Sequence, residues 1–252
     1  MSQKLIELLM SWGIPERTAT SQIEYLVGST IPFAIWETVY TTVLATLFAY
    51  VIGLPLGIIL VTGERDGIRP LPPVLMKILN TVVNLLRSVA FLILMVCVKP
   101  LSRLILGTSI GTVASIVPLT LAAAPFVARV VESSLREMDR GVIEASQSMG
   151  CSPWQIVTKV MLPECRPSLI TGLTTASITI LSYGAMAGTI GGGGLGAMAL
   201  LRGYGRQETV VLYVAVIFLV ILVQIIQSIG TAVAVKTDRR IQHTQTKRRK
   251  GK

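Results

Sequence analysis

Glu144-Ala145-Ser146-Gln147-Ser148-Met149-Gly150, followed after nine residues by Val160-Met161-Leu162-Pro163, is a polar, punctuated stretch between two long apolar runs. Residues 141–149 hold no proline and no internal glycine, which suits a short helix. Gly150 can end that helix, because glycine takes the left-handed C′ position without a Cβ penalty. Ser152-Pro153-Trp154-Gln155 then reads as a restart, with serine as N-cap, proline at the first helical position and glutamine three residues after the cap. Pro163 is expected to stop the second helix, since it has no N–H to give and its ring clashes with the preceding turn. The pattern predicts two short helices meeting at a bend over about 141–163, a polar elbow that a partner can grip.

The flanking sequence says what the elbow projects from. The chain of 252 residues is 52% hydrophobic and only 14% charged, with mean hydropathy +0.68. A soluble domain is about 25% charged, so the deficit places this chain in a membrane. Crossing the ~30 Å hydrocarbon layer takes about 20 apolar residues. Five runs qualify: 39–61, 85–106, 108–131, 169–190 and 210–235. Arg87 and Lys99 lie in the second, where snorkelling can carry their head groups to opposite interfaces. The expected fold is an all-α integral membrane protein of five transmembrane helices, with the elbow between the third and fourth. Residues 1–38 read as an external or interfacial segment, 39–235 as the membrane domain and 236–252 as a basic cytoplasmic tail.

Charge distribution orients the chain. With the elbow inside, sixteen Lys and Arg residues fall on the cytoplasmic side, eight of them from Lys236 onward. Six fall outside: Lys4, Arg17, Lys99, Arg103, Arg202 and Arg206. The positive-inside rule then predicts an external N-terminus and a cytoplasmic C-terminus. The formal charge of +10 is thereby assigned to anionic lipid rather than to nucleic acid. Cys97, Cys151 and Cys165 form no CxxC pair, and the one histidine, His243, lies in the tail. Neither a metal site nor a disulfide is expected. Residues 1–38 carry only a short apolar patch at 5–10, interrupted by Glu7, and do not read as a cleavable signal peptide.

The elbow resembles the cytoplasmic EAA loop of ABC-transporter permeases: Glu-Ala-Ala, three residues, Gly, nine residues, Ile, one residue, Leu-Pro. Glu144, Ala145, Gly150, Leu162 and Pro163 match, while Ser146 replaces the second alanine and Val160 the isoleucine. Further stretches resemble the methionine-type importers: Trp36-Glu37-Thr38, Val51-Ile52-Gly53-Leu54-Pro55-Leu56-Gly57, Leu86-Arg87-Ser88-Val89-Ala90-Phe91, Ile116-Val117-Pro118-Leu119-Thr120, Ala123-Ala124-Pro125-Phe126, and Tyr183-Gly184-Ala185-Met186-Ala187-Gly188. Ala90 stands where that branch tends to carry proline, and the N-terminal 35 residues are longer than the branch's usual start. The resemblance implies that the first elbow helix docks on an ATP-hydrolysing subunit through Glu144, Ala145, Ser146, Gly150, Leu162 and Pro163. It also implies that ATP and Mg are bound by that partner and that this chain carries no cofactor and no catalytic residue.

Other features are read from the residues. Gly53/Gly57, Gly107/Gly111 and Gly184/Gly188 are GxxxG pairs, which let helix backbones approach closely in lipid. Pro55, Pro118 and Pro125 break backbone hydrogen bonds that a neighbouring helix or cavity must compensate. The run from Gly191 to Gly196 formally satisfies GxGxxG. It follows a membrane span and has no acid about 20 residues on, so a flexible external turn is expected rather than a dinucleotide site. Glu132 and Arg136 at i and i+4 read as a solvated helix extension, with Arg129 in reach. Tyr183 and Met186 share a helix face near Ser182, and either plug a constriction or pack on a neighbour.

One elbow and five spans are too few to enclose a pathway, so a second copy, two ATPase subunits and an extracytoplasmic substrate-binding protein are expected in a bacterial inner membrane. The expected function is the permease subunit of an ATP-driven importer for methionine, in both D- and L-forms. Spans without interior carboxylates disfavour a cationic cargo. The alternatives are an ABC permease for another small zwitterion or polar amino acid, and a self-contained secondary transporter. The latter needs ionisable groups facing a cavity, and the predicted spans hold no Asp, Glu or His in their interiors. A membrane-embedded enzyme has no catalytic pair to use.

Overall fold

The computed structural model describes residues 30–65 and 67–238, and every regular element among them is helical. Helix α1 (Thr30–Thr62) starts well before the predicted run at residue 39. Pro32 sits in its first turn, where the missing N–H has no partner to lose. Then follow α2 (Pro73–Ser88), α3 (Phe91–Leu106) and α4 (Thr112–Arg136). The elbow contains α5 (Arg140–Ser148), α6 (Pro153–Gln155), a π-helical stretch Ile156–Met161 and α7 (Leu162–Glu164). The chain closes with α8 (Arg166–Ala187), a 3₁₀ turn Gly188–Ile190, α9 (Gly194–Ala197), a second π-helical stretch Met198–Tyr204, and α10 (Thr209–Thr237). Most of residues 1–38 and the tail from 239 lie outside the described residues.

Four of these segments are long and apolar enough to cross a membrane: α1, α4, residues 166–190 and α10. The second predicted span is not one straight helix. Residues 85–88 end α2, and α3 leaves at a 108° bend. The break is made by Val89 (φ −74°, ψ 131°) and Ala90 (φ −59°, ψ 133°), both extended. Ala90 thus holds a backbone angle that proline favours, so the kink exists without proline. Counting apolar residues could not register it, because neither Val89 nor Ala90 is a breaker.

The core is organised around α4. Leu119, Ala123, Val127, Val131 and Leu135 are almost fully buried, against Ala45 and Ala49 of α1, Met95 of α3 and Ile180 of α8. Gly53 and Gly57 make the α1–α4 approach possible. A Cβ at Gly53 would stand 2.7 Å from Val127 Cβ, and one at Gly57 only 2.6 Å from the Ala128 carbonyl oxygen. The two helices run parallel, with Glu37 bonded to Thr112 at one end and Glu64 paired with Arg136 at the other.

The other two glycine pairs behave differently. Gly107 (φ +76°) and Gly111 (φ +111°) form the α3–α4 turn and have open space where a Cβ would be. Gly184 is also open, while a Cβ on Gly188 would lie 2.2 Å from the Ala197 nitrogen. The expected flexible turn at 191–196 is instead a close-packed hairpin: Gly192, Gly194, Leu195 and Gly196 are buried. Leu195 also joins Ala34, Met198, Val211 and Ala215 in a small second core, which is why α1 extends back to Thr30.

These contacts separate two glycines of similar sequence context. Gly57→Leu drives a side chain into α4 and is expected to destabilise the fold by about 1–3 kcal/mol. Gly184→Ala is expected to be neutral or slightly stabilising, since it removes helix-interior glycine at an open site. Thermal midpoints of the purified variants in one detergent check both.

Candidate coupling elbow and pathway face

The elbow's two caps form as their residue types dictate. Asp139 caps α5, its Oδ1 accepting from the Gly141 N–H at 2.8 Å. At the other end Gly150 adopts φ +76°. Its N–H donates to the Gln147 carbonyl at 2.9 Å, and the Cys151 N–H donates to the Ser146 carbonyl at 3.2 Å. That pair of bonds is a complete Schellman ending. Ser152 then opens α6 with a capping box: its Oγ accepts from the Gln155 N–H, and Gln155 Oε1 accepts from the Ser152 N–H at 2.9 Å.

Pro163 does not stop the second arm. The helical path continues to Glu164 and passes through Cys165 (φ −85°, ψ 6°) directly into α8. The preceding π-helical stretch explains the tolerance. The Leu162 N–H reaches back five residues to the Val157 carbonyl, so the widened turn relieves the clash between a proline ring and the carbonyl four residues earlier. Pro163 and the partly buried Leu162 therefore sit inside a continuous connection from the elbow to α8.

The elbow is anchored on one side and open on the other. Ile156, Val157 and Met161 are buried in the main core, and Ser146 is buried with its Oγ on the Val142 carbonyl at 2.7 Å. Glu144, Ala145 and Gly150 are exposed, beside Met149 and Trp154 with about three quarters of their surface free (75% and 74%). Two large apolar side chains, Met149 and Trp154, are thus held out on a polar-rimmed ridge.

Glu132 corrects the expectation of a solvated helix extension. It is 4% exposed and accepts from Arg129 Nη1 and Arg136 Nη2, each at 2.6 Å. Arg129 Nη2 also donates to Asn80 and Asn84 of α2, both at 2.9 Å, and Arg136 reaches Glu64 beyond α1. The i,i+4 spacing revealed the pair, but the distant Asn80, Asn84 and Glu64 carried no sequence signal. The cluster ties α1, α2 and α4 together where the elbow begins.

Sequence reading also missed Glu37. Its Oε1 accepts from Thr112 Oγ1 at 2.6 Å and its Oε2 from the Gly194 N–H at 2.8 Å. Thr38 Oγ1 accepts from the Leu195 N–H at 2.8 Å. One acid thereby pins α1, the start of α4 and the glycine hairpin. The available signal was an acid adjoining an apolar run and a glycine run that needed donors satisfied.

On α8, Tyr183 stacks flat against Phe91, with ring centroids 4.5 Å apart and planes 4° from parallel. Met186 is 46% exposed and Ser182 is exposed, its Oγ on the Ile178 carbonyl. The shared face therefore contains one side chain packed on the bend between α2 and α3 and two left open.

The long apolar helices and the family comparison together place this chain among transport permeases. The chain belongs to the family of binding-protein-dependent transport system inner membrane components, whose model matches residues 53–243. It is thus a multi-pass inner-membrane protein. It is 48% identical over 207 residues to the probable D-methionine transport system permease protein MetI of Vibrio cholerae, covering 82% of this chain and 92% of that one. It is 43% identical over 222 residues to the corresponding protein of Pasteurella multocida, covering 88% and 100%. Its fold is similar to a chain of the MetNI methionine ABC transporter in an inward-facing conformation, with TM-score 0.79, 43% identity, and coverage of 81% and 94%.

Removing the buried carboxylate of Glu132 leaves Arg129 and Arg136 without their common partner. Glu132→Ala is expected to destabilise the protein by about 3 kcal/mol, and Glu64→Ala, which touches only the half-exposed Arg136, by no more than about 1 kcal/mol. Thermal unfolding of the two variants in the same detergent measures the difference.

Proposed function

We propose that two copies of this chain form the membrane pathway of an ATP-driven importer of methionine, in both D- and L-forms. Each copy docks its elbow on one of two ATPase subunits, which bind ATP and Mg, and an extracytoplasmic binding protein delivers the substrate. Closure of the ATPase pair brings the elbows together and opens the pathway outward; nucleotide release reverses it. Glu144, Ala145, Ser146 and Gly150 shape the docking arm. Leu162 and Pro163 pass its motion into α8, whose residues Ser182, Tyr183 and Met186 face the pathway. Residues 39–235 are the membrane domain in this reading, with 1–38 external or interfacial and 236–252 a lipid-facing cytoplasmic tail.

The observation that carries this reading is the elbow itself: rigidly capped at both arms, rooted in the core and continuous with α8. High identity to permeases named for D-methionine supplies the substrate. The orientation, N-terminus out and C-terminus in, is supported by the clustering of basic residues at one end. Lys159, Arg166 and Lys236 line one cavity there with the acids Glu137, Glu164 and Asp238, and Arg136 and Arg140 flank it in sequence. Anionic lipid rather than nucleic acid is the natural partner of that face.

Proteoliposomes containing this chain, its ATPase and its binding protein are expected to take up labelled D- and L-methionine only with ATP, and excess unlabelled methionine should abolish uptake. Glu144→Lys, on the exposed arm, is expected to cut uptake at least tenfold while the chain stays inserted. Uptake suppressed by betaine or a basic amino acid but not by methionine would contradict the substrate; full transport by Glu144→Lys would contradict the coupling role.

A further inference from the structure

Arg87 is an exposed cation in the second-to-last position of α2, within the bent α2–α3 pair. It ends α2 just before the Val89–Ala90 bend and makes no hydrogen bond or ion pair among the described residues. It borders an open cavity of about 330 Å³, walled by Phe126, Arg129 and Val130 of α4 and by Thr171 and Thr175 of α8. No acid lines this cavity. Glu132 of α4 is taken up by Arg129 and Arg136, and the terminal nitrogens of Arg129 are bound to Glu132, Asn80 and Asn84. An exposed guanidinium at a groove of the membrane domain, with no partner among the described residues, is available to receive an anion.

The opposite wall has the complementary chemistry. Thr171 Oγ1 donates to the Pro167 carbonyl and Thr175 Oγ1 to the Thr171 carbonyl, both at 3.0 Å. One and two turns further, Thr179 and Ser182 do the same. A hydroxyl whose proton is spent on its own backbone presents only lone pairs to the cavity. Spacings of three and four residues put this row on one helix face. The cavity therefore has guanidinium donors on one wall, a column of acceptors on the other, and the apolar side chains Phe126 and Val130 beside them.

We infer that this cavity is a transient substrate site for a zwitterionic amino acid, in which Arg87 receives the carboxylate in bidentate fashion and Thr171 and Thr175 accept from the ammonium. The apolar wall takes the neutral side chain. The site rests on the import reading above and adds to it a place where cargo pauses along the pathway. Its size falls within the range of small-molecule pockets, about 300–1,000 Å³. A carboxylate–guanidinium pair is directional and charge-assisted, so Lys is not equivalent at position 87.

The test uses the complex of this chain with its ATPase, free of nucleotide and without binding protein, so that selection by the binding protein plays no part. Ser133→Cys, at the cavity wall, reports occupancy through its rate of maleimide modification after Cys97, Cys151 and Cys165 are replaced. L-Methionine is expected to slow modification; 3-(methylthio)propylamine, which lacks the carboxylate, is not. R87Q should weaken methionine protection on the order of 10- to 100-fold, the scale of a charge-assisted bond, and R87K should fall between. R87K also carries the test if R87Q fails to assemble with the ATPase. Equal protection by the amine, or unchanged protection in R87Q and R87K, overturns the site. Absence of protection by methionine and by other zwitterions such as leucine overturns it too, even where uptake of methionine by proteoliposomes stands. Protection by leucine alone upholds the site and moves the failure to the substrate reading.

Discussion

The contact between Gly53–Gly57 of α1 and Val127–Val131 of α4 is the constraint from which the rest of the structure follows. Lipid offers no hydrophobic reward for bringing two apolar helices together, so association depends on close packing and internal polar bonds. Two glycines one turn apart bring the backbones near enough for a Cβ to have no room. α4 then becomes the most buried of the membrane helices, and α1, α3 and α8 are arranged on it. Pro118 and Pro125 sit inside this helix, where neighbouring helices rather than lipid surround the weakened ladder.

Both ends of that parallel pair are closed by an acid. Glu37 binds Thr112 and the glycine hairpin at one end, and Glu132 gathers Arg129 and Arg136, and through them Asn80, Asn84 and Glu64, at the other. The first seals a turn whose backbone donors would otherwise be buried without acceptors. The second stands where α4 leaves the bundle for the elbow. Because Pro163 is absorbed by a π-helical turn instead of ending the arm, the elbow and α8 form one connected path. The exposed arm is thus continuous along the chain with the helix that carries Ser182 and Met186.

Local chemistry was legible in the sequence, and tertiary placement was not. The Gly150 ending and the Ser152–Gln155 box each depend on a few adjacent residues, and both formed as read. Four of the five apolar runs appear as long helices, since span length is set by bilayer thickness. The bend at Ala90 escaped because neither Val89 nor Ala90 is a breaker, and α2 is held through Met76 and Val83 on Leu60 and Ala128, contacts distant in sequence. Pro163 was misread for the converse reason: a breaker was present, but a wider turn upstream accommodated it. Glu132 looked solvated because its i,i+4 partner suggested a surface pair, while the burial came from α1 and α2, distant in sequence. Gly191–Gly196 looked flexible by composition and proved tightly packed because Thr38, Ala185 and Ala187 crowd it.

The central claim is that two copies meet along the open face of α8 and make the pathway between them. Cross-linking tests it most directly, with Met186→Cys as the one cysteine in a chain whose Cys97, Cys151 and Cys165 have been replaced. In the nucleotide-free complex with the ATPase, a short bifunctional maleimide is expected to join the two copies into a covalent dimer, and ATP trapping should change the yield. A preparation shown to contain two copies that never cross-links through position 186, with or without nucleotide, would contradict the account and return this face to ordinary packing.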